Sequence, residues 1–177
     1  MKREAFEHVI RAAATILDDD LILIGSQAIL ARFPDAPADL LISDELDLYP
    51  RSQPERAIEV DAMLGAGSQF EETFGYRAYG VAPETARLPA GWEGRLLRVE
   101  VARADGGSAV AWALEPHDLV VAKLAAGRQQ DFDFAEGALR ADLVDGGELV
   151  RRCDDLRDDL REEVRLRVEG VVVRAGR

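Results

Sequence analysis

Apolar residues Phe6, Val9, Ile10, Ala13, Ile16 and Leu17 recur at helical spacing over residues 3–17, which predicts an amphipathic helix ended by Asp18-Asp19-Asp20. The period then changes. Leu21-Ile22-Leu23-Ile24 is a short continuous apolar run closed by Gly25, the pattern of a buried strand. Gln27 to Phe33 predicts a short helix with Ser26 as its N-cap, followed by a loop at Pro34-Asp35-Ala36-Pro37. Leu40-Leu41-Ile42 and Leu46-Asp47-Leu48-Tyr49 bracket an acidic step and read as a second strand. Pro54 to Leu64 predicts a helix with proline in its first turn. Tyr76–Val81, Leu96–Ala102 and Ala109–Leu114 read as further strands, the last two joined by an Asp105-Gly106-Gly107 turn. From Pro116 onward the pattern is helical, over 117–126, 129–143 and 148–174, with Gly146-Gly147 as a break.

The order predicts an α/β (α+β) protein: a mixed sheet flanked by helices over residues 1–115, then a helical region over 116–177 packed on it as one compact unit. Leu156, Leu160, Val164 and Val168 form a stripe on the last helix, expected to pack on the body or on a second copy of the chain.

Composition narrows the partners. Only 47% of the 177 residues are hydrophobic and no run approaches a membrane span; the basic start, Met1-Lys2-Arg3-Glu4, has no apolar stretch behind it. The single cysteine, Cys153, excludes an internal disulfide and a cysteine-rich zinc site, so a cytoplasmic protein is expected. A net charge of −12 argues against a general nucleic-acid binder while leaving room for a local basic groove. Residues 131–163 carry much of the imbalance, with twelve acidic residues against five arginines. Lysine occurs only at Lys2 and Lys123, in an Ala-, Arg- and Gly-rich chain of the kind a GC-rich bacterial genome encodes. Lys123 is therefore singled out.

Two short segments suggest chemistry. A glycine ending a buried strand and followed by a hydroxyl residue, Gly25-Ser26, is a natural cradle for phosphate, because free backbone N–H groups can approach the anion closely. In Ser43-Asp44-Glu45-Leu46-Asp47-Leu48, Glu45 and Asp47 stand two apart, so on a strand both carboxylates project from one face. Two such carboxylates repel unless a cation lies between them, and hard Mg²⁺ suits the oxygen ligands. His8 and His117 are too isolated for a zinc or triad site, and Trp92 and Trp112 are assigned to packing.

Taken together, Gly25-Ser26 and, about twenty residues on, Ser43-x-Glu45-x-Asp47 resemble the nucleotidyltransferase superfamily of the polymerase-beta type, with Glu45 where aspartate is usual. Leu88–Arg95 and Leu114–Leu124 look like a bacterial subfamily related to abortive-infection and MenT-type toxins. Its "Pro-x-Asp-Leu…Lys-Leu…Arg-x-x-Asp" stretch is matched by Pro116, Asp118, Leu119, Lys123, Leu124, Arg128 and Asp131. The resemblance covers about residues 20–140. It implies the nucleotidyltransferase fold and Mg²⁺-dependent transfer of an NMP from an NTP to tRNA or a protein. It also implies a toxin role with an antitoxin partner. The implied metal ligands are Glu45, Asp47 and Glu100 as a third carboxylate; Gly25, Ser26, Ser43 and Arg128 contact the nucleotide; Lys123 and Asp131 act in catalysis. Two alternatives stay open: an inactive nucleotide-binding or interaction module of this fold, and a structural protein dimerising through its last helix.

Overall fold

The computed structural model describes residues 1–176; the end of the expected helical region, Arg177, lies outside them. Helix α1 (Arg3–Leu17) buries Phe6, Val9, Ile10, Ala13 and Leu17, the stripe its spacing predicts. It packs across a five-stranded mixed sheet in the order β3-β2-β1-β5-β4. The strands are β1 (Leu21–Leu23), β2 (Glu45–Pro50), β3 (Arg77–Gly80), β4 (Leu97–Ala102) and β5 (Ser108–Ala113). Central β1 runs antiparallel to β2 and parallel to β5, and all three of its residues are buried, as its unbroken apolar run requires. β4 and β5 form the expected hairpin over Asp105-Gly106-Gly107, with Gly106 at φ +87°.

Helix α2 (Ala57–Leu64) and helix α3 (Gln69–Phe74) separate β2 from β3, which nevertheless lie side by side in parallel. Among the described residues four helices follow: α4 (Pro116–Ala126), α5 (Gln129–Arg140), α6 (Gly146–Cys153) and α7 (Asp158–Ala175). Helix α4 packs against the segment that follows β1, and α7 packs on α4, α5 and α6. Leu156, Val164 and Val168 are buried in that packing and Leu160 partly so, so the terminal stripe covers the body of the same chain.

Several boundaries differ from the pattern. Residues 26–31 form a 3₁₀ segment rather than an α-helix, and its N-cap is Gly25, not Ser26. The segment is pinned by the Ala28 N–H on the Gly25 carbonyl (2.9 Å), and Pro34 stops it from growing. Residues 38–40 are also 3₁₀, and the strand begins only at Glu45. Helix α3 was not expected, although Ser68 and Glu71 spell a capping signal: the Ser68 hydroxyl accepts the Glu71 N–H at 3.2 Å. The expected helix over 148–174 is two helices broken at residues 154–157, where Leu156 turns inward. Gly146-Gly147 opens α6 behind the Asp145 cap rather than interrupting a longer helix.

Candidate active site

The site begins where β1 ends. Ile24 continues the ladder by donating its N–H to the Asp47 carbonyl (3.1 Å), which carries Gly25 directly past the Asp47 side chain. A Cβ at position 25 would lie 1.6 Å from Asp47 Oδ2, so only glycine permits this approach. The φ of Gly25 is −85°, so proximity, not a left-handed backbone, imposes the residue.

On β2 the alternation puts Leu46 and Leu48 wholly into the core and leaves Glu45 and Asp47 on the other face. Ser43 shapes the approach, its hydroxyl accepting the Glu45 N–H at 3.2 Å. Asp47 is mostly buried; burial, then the neighbouring charge of Glu45, push its carboxyl up to about 6 against the partial opposition of Lys123, Arg128 and Arg77. Glu45 is held differently: Arg77, its register partner on β3, donates from Nη2 to Glu45 Oε2 at 2.7 Å. The other arm of Arg77 reaches Glu71 on α3 at 2.7 Å.

The cations come from the helical region. Gly127, at φ +71°, ends α4 and lets the chain turn straight into α5. That turn places Asp131 where Arg128 closes on it from the backbone N–H (3.1 Å), Nε (2.8 Å) and Nη2 (3.2 Å). Lys123 Nζ lies 3.3 Å from Asp131 Oδ1 and 4.8 Å from the centre of the Phe134 ring. Burial raises the Asp131 carboxyl, but the Arg128 hydrogen bonds and the Lys123 charge outweigh it and hold the group below its ordinary value. Burial pulls the Lys123 ammonium down, with Asp131 opposing. Asp131 is fully buried while the Arg128 side chain is 64% exposed, so one carboxylate anchors two cations of which one is free to reach outward.

These parts meet. A cavity of about 260 Å³ is lined by Gly25, Ser26, Ser43, Glu45, Asp47, Lys123 and Arg128, together with Tyr79 and Gln130. A second one, about 580 Å³, adjoins it and shares Ser26, Ser43, Glu45, Lys123 and Gln130; its far walls include Asp39, Asp133 and Glu136. Two carboxylates (Glu45, Asp47) and two cations (Lys123, Arg128) line the smaller cavity, with Arg77 paired to Glu45 and Asp131 to both cations from behind. In a chain of net charge −12, this local balance marks the place where an anion can approach.

Glu100 is not brought there. It lies on edge strand β4, separated from β2 by β1 and β5, exposed and paired with Arg98 at 2.5 Å. The alternation of β4 sends Val99 and Val101 inward and Glu100 to solvent. Among the described residues, no three His, Cys, Asp or Glu side chains are gathered as a metal cluster. Asp118, within the motif, is fully buried and held by Arg95 Nε (2.8 Å) and Arg152 Nη1 (2.6 Å), so it ties α4 to α6 and to the segment before β4. His117 Nε2 accepts the Asp145 N–H at 2.9 Å and helps start α6. Sequence reasoning overlooked Arg77, Tyr79 and Gln130. The two-residue spacing of Arg77 and Tyr79 is the same signal that singled out Glu45 and Asp47.

A family model described as "Nucleotidyltransferase of unknown function (DUF6036)" matches residues 4–168, which takes in the sheet, the cleft and most of α7. No curated protein and no solved structure matches the chain. No helix among the described residues is long and apolar enough to cross a membrane.

Proposed function

Because the chain belongs to this family of nucleotidyltransferases, we propose that it transfers an NMP from an Mg²⁺-bound NTP to a hydroxyl acceptor in the cleft between β2 and the α4–α5 turn. The observation that carries the reading is the meeting of Glu45 and Asp47 from the sheet with Lys123 and Arg128 from the helical region around one cavity.

The donor set fits a hard divalent cation. Glu45 and Asp47 present carboxylates from one strand face and both line the cavity, an all-oxygen pair of the kind a hard cation takes. When bound, such an ion would draw the α-phosphate oxygens and offset charge developing in transfer. The remaining work belongs to the chain. Gly25 and Ser26 line the cavity, and their backbone N–H groups would receive a phosphate there. Lys123, shielded from water and oriented by Asp131, offers a compact positive charge, and Arg128 a planar fork for the leaving pyrophosphate.

Among acceptors, a protein hydroxyl is favoured over tRNA by the net charge of −12, which gives the chain no broad basic face for a polyanion. The resemblance to toxin nucleotidyltransferases adds a cellular role, growth arrest relieved by an antitoxin. Expression of the chain and of Asp47→Ala in a bacterial host tests that role: arrest by the first alone supports it. One observation favours a second reading, nucleotide binding without transfer: Arg77 already occupies an oxygen of Glu45. Incubation with Mg²⁺, NTPs labelled at the α-phosphate, and pools of protein or tRNA separates the two. Label transfer that vanishes in Asp47→Ala supports catalysis; bound nucleotide without transfer supports the second.

A further inference from the structure

One large side chain in the cleft has no part in the chemistry above. Tyr79 stands in direct register with Asp47 on the neighbouring parallel strand, so the two side chains project from the same face of the sheet. Its surface is 49% exposed even though it lines the cavity that holds both carboxylates and both phosphate-facing cations. An aromatic ring left half open inside a cavity gains free energy when a flat apolar surface covers it. The rest of that wall is apolar and small. Val81 and Ala86 continue it beyond β3, and Ala122 and Ala126 of α4 border the same cavity, where their short side chains leave room for a thin planar group. Thr85 supplies the one neutral hydroxyl on this stretch.

We propose that Tyr79, backed by Val81 and Ala86, is the nucleobase platform of the cleft. The inference rests on the nucleotidyl-transfer reading and deepens it: the nucleotide lies with its phosphates between Gly25-Ser26 and Lys123-Arg128 and its base stacked on Tyr79. The larger cavity is then left to the acceptor. Every base has a π-face, so stacking binds without reading sequence. Stacking on Tyr79 carries the contact, and Thr85 and the Gln130 carboxamide are the neutral groups in the cavity that could meet a base edge, so purine and pyrimidine triphosphates should both bind, within about tenfold of one another.

Calorimetric titration of the full chain with ATP, UTP and inorganic tripolyphosphate, each with Mg²⁺, tests this in the wild type, Tyr79→Ala and Tyr79→Phe. Tyr79→Ala should weaken ATP by about tenfold or more, the scale of one base–aromatic stack, while tripolyphosphate stays within about twofold. Tyr79→Phe should bind ATP like the wild type, because the ring and not the hydroxyl carries the contact. Unchanged ATP affinity in Tyr79→Ala, or equal losses for ATP and tripolyphosphate, overturns the platform. Equal wild-type affinity for ATP and tripolyphosphate also overturns it, leaving the phosphate site standing. Failure of the wild type to bind either ligand overturns the transfer reading and the platform together.

Discussion

Gly25 and Asp47 are so placed that any side chain on the first must displace the carboxylate of the second: the Cβ position of residue 25 falls 1.6 Å from Asp47 Oδ2 and 2.5 Å from Asp47 Cγ. The turn after β1 and the acidic face of β2 are therefore one unit. Gly25→Ala should cost about 1–3 kcal/mol of stability, the range for forced overpacking, and should abolish divalent-cation binding. Urea denaturation and a Mn²⁺ titration check the two effects, and retained metal affinity in Gly25→Ala would count against the coupling.

The raised carboxyl of Asp47 gives a pH dependence with a definite sign. Its folded-state value of about 6 lies above the ordinary 3.8, so the folded protein binds the proton more tightly than the unfolded chain does. The resulting stabilisation is fully present below the ordinary value and lost as pH rises through about 6. Metal affinity runs the opposite way and should fall as pH drops through the same value. Asp47→Asn should remove both dependences and raise stability above pH 6 by an amount on the order of 1–3 kcal/mol, measured by urea denaturation at two pH values without metal.

Much of this site was legible in the chain. Gly25-Ser26, Glu45, Asp47, Lys123, Arg128 and Asp131 each carried a local signal, and the structure brings all of them together. Glu100 misled because alternation identifies a strand and its two faces but not the strand's place in the sheet; β4 closes the far edge. Arg77 and Tyr79 were missed for the mirror reason. Nothing local shows that β3 pairs in parallel with β2 across an intervening pair of helices, a contact set by tertiary packing. The break between α6 and α7 escaped because residues 154–157 contain neither proline nor glycine; the inward turn of Leu156 ends the run instead.

Lys123 and Asp131 should behave as one device. Lys123→Ala should reduce nucleotidyl transfer by roughly 10²-fold, the scale for losing a preorganised charge at a transition state. Asp131→Asn should lose a similar amount, because the lysine and arginine it orients are released together. In a steady-state assay the double variant should be little worse than either single one. Additive losses would show that the two act separately.

Glu100 and Asp118 should separate surface from core. Glu100→Ala should leave both activity and stability within about 0.5 kcal/mol of the parent, as its pair with Arg98 is exposed. Asp118→Ala should cost about 1–3 kcal/mol, since it removes the buried carboxylate that both Arg95 and Arg152 bind and leaves Arg152 to Glu148 and Glu115 alone. Thermal unfolding distinguishes them, and a Glu100→Ala protein without transfer activity would reinstate that residue at the site.

The central claim, that Glu45 and Asp47 with Lys123 and Arg128 form a working nucleotidyl-transfer centre, is tested most directly by mass spectrometry of acceptor pools. Each pool is incubated with NTP, Mg²⁺ and the protein, beside the same reaction with Asp47→Asn. The account predicts one NMP added to a hydroxyl of the acceptor by the wild type and none by the variant. Addition that survives Asp47→Asn, or its absence from every protein and RNA pool with the wild type, would contradict it.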